Sequence, residues 1–172
     1  CATRPTALST SYRCYCLNIP DNGVSLPGLA QTCPPARCFT AMGCAMRSKL
    51  FVPGARPELF AKALAGDADA LSFDLEDSVP EAGKAQARAA VSAFLDDAAL
   101  AASPKCVIVR TNAPDSPHFA ADLSALVHAR VDLLNIPKLE TTDQVQAIAA
   151  QLDALEAAAG LARPISLLLN IE

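Results

Sequence analysis

Acidic and hydroxyl side chains cluster directly after a short apolar stretch in the middle of the chain. Residues 70–73 have the pattern of a buried strand, and Asp74, Glu76, Asp77 and Ser78 follow at its carboxyl end. In α/β folds, the loops at this end of the strands carry the chemistry. Acids in this position are also typical of the first turn of a following helix. The motif alone therefore leaves a catalytic and a structural interpretation open.

Other chemically useful side chains follow the later predicted strands. They are Arg110, with Asn112 close behind it, then Lys138, and finally Glu172. Because the carboxyl ends of parallel strands meet at one edge of a sheet, these groups are candidates for a single site. For Arg110 the competing interpretation is a salt bridge to Glu76 or Asp77. For Lys138, pairing with Glu140 is favoured over contact with an anionic ligand.

The elements that must position these groups alternate regularly from Met46 onward. The pattern predicts strands over residues 49–52, 70–74, 106–110, 132–136 and 165–171, with Pro137 ending the fourth. Helices are predicted from Pro57 to a stop at Gly66, over 81–95, over 119–129, and after a Thr141/Gln144 capping box. Strand–helix alternation of this kind predicts a parallel sheet with right-handed crossovers.

Five such strands fit either a doubly wound sheet or an incomplete barrel. A doubly wound sheet concentrates its site at one crossover, often with a glycine-rich phosphate turn, and the sequence contains no such turn. Functional groups spread over successive strand ends are typical of a (β/α)8 barrel. We therefore predict an α/β fold, a TIM barrel truncated after the fifth strand, whose first and fifth strands present bare edges.

Composition narrows the class of protein. The 172 residues carry a formal net charge of −4 and are 52% hydrophobic, and no apolar run approaches the roughly 20 residues needed to span a bilayer. The acidic balance argues against a nucleic-acid surface, which requires clustered Lys and Arg. We expect a soluble, cytoplasmic α/β protein without nucleic-acid or membrane partners.

Residues 1–45 differ from the rest of the chain. Six of the seven cysteines lie in this segment, which is also rich in proline and has no sustained apolar period. It contains no His, and its cysteine spacings do not match paired zinc ligands. We expect residues 1–45 to be a disordered or non-native extension, with Met46 as the natural start and 46–172 as the barrel part. A metal- or redox-binding module remains the alternative.

An ordered set of motifs resembles citrate lyase beta-subunit-like and malyl-CoA lyase-like proteins. The matching segments are residues 46–58, 74–80, Lys84 with Arg88, 109–112, 136–140 and the closing 171–172. No single motif is specific, but their order and spacing match across residues 46–172. The resemblance implies a TIM-barrel carbon–carbon lyase that acts on acyl-CoA thioesters, uses Mg²⁺ and assembles as a homo-oligomer.

The resemblance also implies roles for individual residues. Arg110 matches the arginine that grips a substrate carboxylate, for which a guanidinium offers a rigid two-donor fork. Glu172 matches a glutamate that ligates magnesium beside the substrate. Arg47 matches an arginine near the substrate or the coenzyme A phosphates, although an exposed arginine explains it equally well. Glu76 and Asp77 match an acidic pair that orients metal-bound water or Arg110.

The implied reaction is cleavage of a 3-hydroxyacyl-CoA, of the citryl-, malyl- or citramalyl-CoA type, into a 2-keto acid and an acyl-CoA. The family continues past the position of Glu172 to an aspartate that supplies a second metal ligand. We therefore expect the 172-residue polypeptide to be an inactive, poorly stable fragment. Two rival interpretations are a noncatalytic half-barrel that docks on a partner and an aldolase acting on a free 2-keto acid aldol.

Overall fold

The fold consists of parallel strands that alternate with helices. The computed structural model describes residues 15–18 and 46–171. The strands are β1 Tyr15–Asn18, β2 Lys49–Pro53, β3 Ala70–Asp74, β4 Cys106–Arg110, β5 Leu133–Leu139 and β6 Ser166–Ile171. The helices are α1 Phe60–Ala65, α2 Lys84–Leu95, α3 Ala98–Ala101, α4 Phe119–Leu126 and α5 Thr142–Ala159, with short 3₁₀ turns at Pro57–Leu59 and Glu81–Gly83.

All six described strands join one parallel sheet in the order β1-β6-β5-β4-β3-β2. The register aligns one residue from each of five strands in a row across the sheet. That row is Pro53, Asp74, Arg110, Asn135 and Leu168. The ends of β2, β3 and β4 therefore lie side by side, whereas β5 and β6 continue past this row.

The two faces of the sheet bury different clusters. On one face, strand residues such as Phe73 and Val109 pack in a large core to which each of the five described helices contributes. The other face, here called the inner face, holds a small cluster without helical residues: Ala70, Cys106, Ile108, Leu133 and Leu168. Helices on one face only are typical of a barrel wall and not of a doubly wound sheet. The predicted partial-barrel fold is confirmed.

Local sequence explains several element ends. The predicted capping box is present, since the Gln144 N–H donates to Thr141 Oγ1 at 3.2 Å and the Thr141 N–H donates to Gln144 Oε1 at 3.1 Å. After β2, the Gly54 N–H donates to the Asp74 carbonyl oxygen at 2.8 Å. A Cβ on Gly54 would lie 2.7 Å from that oxygen, so only glycine permits this approach.

Three sequence-based expectations require correction. Strand β5 continues through Pro137 to Leu139, with a register irregularity against β6 between Ile136 and Leu139. A bulge is where a strand tolerates proline, because no ladder N–H is needed there. Helix α4 ends at Leu126, three residues earlier than predicted. The edge of β6 is not bare, since β1 pairs with it in parallel.

Most of the segment expected to be a disordered or non-native extension, residues 1–45, lies outside the described residues. Within it, Tyr15–Asn18 forms strand β1. The nature of the rest of that segment stays a prediction. In the part of the chain that the structure describes, no helix combines the length and the hydropathy needed to cross a membrane.

Candidate active site at the carboxyl ends of the strands

The centre of the candidate site is a two-point ion pair between neighbouring strands. Arg110 Nε donates to Asp74 Oδ1 at 2.8 Å, and Arg110 Nη2 donates to Asp74 Oδ2 at 2.7 Å. The Asp74 side chain is 5% exposed and that of Arg110 is 17% exposed, so the pair is largely shielded from water. Paired, charge-assisted hydrogen bonds fix the plane of a guanidinium as well as its position. Asp74 therefore orients Arg110.

Backbone groups hold Asp74 in turn. Its carboxylate accepts the N–H of Glu76 at 2.9 Å and the N–H of Ser78 at 3.0 Å. Burial raises the pKa of Asp74, but hydrogen bonds from Arg110, Glu76 and Ser78 outweigh it, so the pKa lies below its ordinary value. The same ion pair raises the pKa of Arg110. Both partners are thus charged at neutral pH.

Two further carboxylates share the remaining arm of the guanidinium. Arg110 Nη1 lies 3.3 Å from Glu76 Oε2 and 3.0 Å from Asp77 Oδ2. The Lys138 ammonium lies 3.1 Å from Glu76 Oε1, so Glu76 bridges two cations. The salt bridges foreseen as the structural interpretation of Arg110 are present. Glu76 is a described partner of Lys138, for which we had expected Glu140.

Lys138 occupies an unusual backbone conformation. Its φ is 55°, in the left-handed region, at the point where β5 is irregular. Lysine adopts this region rarely, and such strain is often found at functional sites. Lys138 also lines a cavity of about 330 Å³ at the strand ends, together with Pro114, Asp115, Glu140 and Gln144. The bulge therefore directs a cation toward both Glu76 and this cavity.

A buried lysine supports the loop that carries the acids. Lys84 is 8% exposed, and its ammonium donates to the carbonyl oxygens of Leu75, at 2.8 Å, and of Glu76. These bonds hold the backbone of the turn after β3 while leaving its carboxylates free to point at Arg110. The motif lysine thus has a positioning role that its sequence context did not reveal.

A second buried hub supports the loop after Arg110. Asp122 is fully buried and accepts Arg88 Nε at 2.6 Å, the Asn112 N–H at 2.8 Å and Asn112 Nδ2 at 2.7 Å. Asp122, on α4, thereby connects Arg88 of α2 to Asn112, which lies two residues after Arg110. The rigid setting of Arg110 depends on these contacts as well as on Asp74.

Unpartnered polar atoms lie close to the cluster. Among the described residues, Ser72 Oγ, Thr111 Oγ1 and Asn135 Oδ1 are buried and make no hydrogen bond. Asn135 is the register partner of Arg110, and Ser72 lies two residues before Asp74 on the same inner face. Buried polar groups without partners are uncommon and are often satisfied by bound water or ligand.

The structure brings together only some of the predicted site residues. Arg110, Glu76 and Asp77 form one cluster, and its central acid is Asp74, which the sequence analysis placed at the strand end without assigning it a role of its own. Arg47 lies before β2, at the amino end of the sheet, where its side chain is 87% exposed and pairs with Asp69 at 3.2 Å. Its predicted contact with substrate or coenzyme A stays a prediction. Glu172 lies outside the described residues.

The described carboxylates do not form a metal site by themselves. No group of three His, Cys, Asp or Glu side chains in residues 46–170 is arranged to hold an ion. Asp74, Glu76 and Asp77 are already paired with Arg110 or Lys138. Among the described residues these acids are ion-pair partners of Arg110 and Lys138, and Glu172 stays the metal ligand that the sequence predicts.

Charged side chains gathered at the carboxyl ends of parallel strands, as around Arg110, are typical of (β/α)-barrel proteins. The sequence model of the HpcH/HpaI aldolase/citrate lyase family matches residues 47–172, and the chain belongs to that family.

Individual relatives agree with this assignment. The L-malyl-CoA/beta-methylmalyl-CoA lyase of Cereibacter sphaeroides is 38% identical over 145 residues, covering 83% of this chain and 43% of the relative. A citrate lyase subunit beta-like protein of Deinococcus radiodurans is 42% identical over 111 residues, covering 62% and 38%. The chain thus spans about two-fifths of the length of these curated relatives.

Solved structures show the same fold. The citrate lyase beta subunit of M. tuberculosis, complexed with oxaloacetate and magnesium, is 33% identical with a TM-score of 0.54, over 74% of this chain and 59% of that one. CitE of Mycobacterium tuberculosis, in complex with magnesium, acetoacetate and coenzyme A, is 34% identical with a TM-score of 0.52, over 73% and 49%.

Proposed function

We propose that this chain forms part of the active site of a magnesium-dependent carbon–carbon lyase. The substrate would be a 3-hydroxyacyl-CoA of the citryl-, malyl- or citramalyl-CoA type, and the products a 2-keto acid and an acyl-CoA. Family membership supports the reaction class, and two relatives are a malyl-CoA lyase and a citrate lyase beta subunit. The observation that carries the proposal is the preset guanidinium of Arg110 at the strand ends.

Arg110 would bind the carboxylate of the substrate. Asp74 uses the Nε–H and one hydrogen of Nη2, which leaves the other Nη2 hydrogen and both Nη1 hydrogens as donors. The remaining Nη2 hydrogen and one Nη1 hydrogen form a second fork of the kind that a carboxylate accepts, at an Nη1 that also lies 3.3 Å from Glu76 and 3.0 Å from Asp77. Because Asp74 already fixes the plane of the guanidinium, little side-chain entropy is lost when the substrate binds.

The neighbouring side chains would complete the pocket. Glu76, held between Arg110 and Lys138, is positioned to orient polar groups of the substrate. Magnesium, as in the M. tuberculosis relative, would supply Lewis-acid polarisation of substrate oxygens, with Glu172 as a ligand. Asn135, with a free buried amide oxygen beside Arg110, would accept a hydrogen bond from a substrate hydroxyl or bound water. We also propose that the complete lyase assembles as a homo-oligomer.

The decisive test measures whether Arg110 binds a 2-keto acid. Oxaloacetate is titrated into the purified chain with magnesium present, and binding is followed by NMR chemical-shift changes. Arg110→Gln should weaken binding by about ten- to a hundredfold, the loss expected for a charge-assisted hydrogen bond. Arg163→Gln is the matched control, because Arg163 is a half-exposed arginine at the opposite end of the sheet.

Equal affinity of the Arg110→Gln variant and the wild type would contradict the proposal. Release of glyoxylate from malyl-CoA, or of oxaloacetate from citryl-CoA, then distinguishes the thioester substrates. The binding test comes first because it reports on Arg110 directly, whether or not the chain completes a turnover.

A noncatalytic docking role is the second candidate, and one observation favours it. Leu50 and Phe51 on the edge strand β2 are 42% and 50% exposed, which is unusual for large apolar residues on a strand. Co-purification of a stoichiometric partner that protects β2 from hydrogen exchange would support this role. Oxaloacetate binding that depends on Arg110 would favour the lyase.

A further inference from the structure

Asp77 differs from the other acids around Arg110 in how it is held. Its side chain is 69% exposed, whereas those of Asp74 and Glu76 are 5% and 9% exposed. Within the described residues, its ion-pair contact is the single one from Asp77 Oδ2 to Arg110 Nη1, at 3.0 Å. An ion pair with one exposed partner contributes little free energy and re-forms readily. Asp77 is therefore the acid that leaves Arg110 at the lowest cost.

The other two acids are anchored by several contacts. Asp74 makes two bonds to the guanidinium and accepts two backbone N–H groups. Glu76 lies between Arg110 and Lys138. Removing either from its place would leave a buried charge without a partner, which is costly. An incoming anion can therefore displace Asp77 more easily than Asp74 or Glu76.

The charges of the ion-paired cluster are unequal. Three carboxylates, those of Asp74, Glu76 and Asp77, face two cations, Arg110 and Lys138. If Asp77 turned toward water and a ligand carboxylate took its place, the cluster would keep the same balance of charge. The Nη1 atom that Asp77 contacts is also part of the donor fork left open by Asp74.

We propose that Asp77 is an internal competitor, whose carboxylate occupies on Arg110 the donor that the substrate carboxylate takes. The inference rests on the proposed function, because it assumes that Arg110 binds a carboxylate. Asp77 thus lowers the affinity of the free site for every carboxylate ligand. Binding exchanges one carboxylate for another on a guanidinium that does not move.

The test compares the affinity of charge-changing variants for oxaloacetate, by NMR titration in magnesium-free buffer of low ionic strength. Asp77→Asn should bind about two- to fivefold more tightly than the wild type, the range that an exposed ion pair carries. Asp77→Glu, which retains the competing carboxylate, should bind within about twofold of the wild type. Matching urea-unfolding midpoints for these variants show that the fold is intact.

Glu81→Gln is the matched control for a general electrostatic effect. Glu81 is 77% exposed, follows Asp77 by four residues and pairs with His118. Its neutralisation removes one negative charge from the same loop region, so it should change affinity less than Asp77→Asn does. An equal gain in both variants would show that net charge, and not displacement, sets the affinity, and would overturn the inference.

Two further outcomes distinguish failure of the Asp77 inference from failure of the proposed function of Arg110. If Arg110→Gln abolishes binding but Asp77→Asn binds as weakly as the wild type or more weakly, Arg110 binds the carboxylate and Asp77 is not a competitor. If Arg110→Gln binds as well as the wild type, the proposed function fails, and the inference is overturned with it.

Discussion

The two ends of the sheet hold their charged side chains in different ways. At the carboxyl end, the described ion-pair and hydrogen-bond partners of Arg110 are the carboxylates of Asp74, Glu76 and Asp77. At the amino end, Arg130 contacts one acid, Asp132, and otherwise donates to backbone carbonyls. A cation bound to carbonyls cannot leave without exposing unsatisfied backbone, whereas a cation bound to several carboxylates can exchange one for another.

Two aspartates, one at each end of the sheet, show the consequence of this difference in contacts. Asp132 accepts the Val107 N–H at 2.7 Å and pairs with Arg130 and Arg163, so it links the starts of neighbouring strands. Asp77 accepts no described backbone hydrogen bond and faces water. Barrels generally place stability at the amino end and chemistry at the carboxyl end. In this chain the charged groups of the amino end are held by backbone hydrogen bonds, whereas Asp77 at the carboxyl end is held by one exposed ion pair.

The largest loss of stability should come from Asp122, which lies at the carboxyl end of the sheet but is held as firmly as the residues of the amino end. Asp122 supports the carboxyl end, yet it is fully buried and bonded to the Asn112 backbone, so it should behave like an amino-end residue. Asp122→Ala leaves Arg88 without its partner and should lower the free energy of unfolding by about 3–5 kcal/mol. Urea unfolding measures this change. Asp122→Asn, which keeps an acceptor for Asn112, is the control and should lose less.

A loss below about 1 kcal/mol in Asp122→Ala would show that backbone-bonded charges at the carboxyl end do not stabilise the fold. The free energy of unfolding would then depend more on the end of the sheet at which a residue lies than on its hydrogen bonds.

A matched pair of substitutions tests the two ends directly. Asp132→Ala removes the acceptor of the Val107 N–H and the partner of Arg130, and it should cost about 2–3 kcal/mol. Asp77→Ala removes an exposed acid and should change the free energy of unfolding by less than about 0.5 kcal/mol. Both values come from urea unfolding at neutral pH. Similar losses in the two variants would contradict the comparison.

The fold could be predicted from the sequence because its signals are local. Apolar runs of strand length, helical spacing and the Thr141/Gln144 capping box each depend on a few neighbouring residues. Pro137 misled because a proline usually ends a strand, and nothing local reveals a bulge. The pairing of β6 with residues 15–18 was also missed, since any extended segment can complete a sheet edge.

The site could be predicted only in part, because register and loop contacts are not local. Arg110 was found from its position after a strand, but its pairing with Asp74 joins residues 36 apart and needs the strand register. The last position of β3 was the available signal for Asp74, since a side chain there faces the same edge as Arg110. Arg47 precedes its strand and lies at the amino end of the sheet, apart from the Arg110 cluster, so its predicted contact with substrate or coenzyme A stays a prediction.

A further prediction concerns the pH dependence of the Asp74–Arg110 pair. Since the folded-state pKa of Asp74 lies below its ordinary value of 3.8, the ionised carboxylate stabilises the fold above that pH. This stabilisation is lost as the pH falls through the folded pKa. The urea midpoint of Asp74→Asn should therefore be lower than that of the wild type at neutral pH, and the two should converge below about pH 3.8.

The amino-end pair provides the contrast for that experiment. Hydrogen bonds from Arg47 lower the pKa of Asp69 to about 2, so the contribution of Asp69 to stability is also lost in acid, between about pH 3.8 and pH 2.

Salt should distinguish the two ion pairs. Arg47 is exposed, and salt should therefore screen the Arg47–Asp69 pair, whereas the shielded Asp74–Arg110 pair should be screened much less. In 1 M NaCl at neutral pH, the midpoint difference between wild type and Asp74→Asn should persist, and that between wild type and Asp69→Asn should shrink. Equal screening of both differences would mean that the carboxyl-end pair is as open to solvent as the amino-end pair, and exchange of carboxylates on Arg110 would then need no displaceable acid.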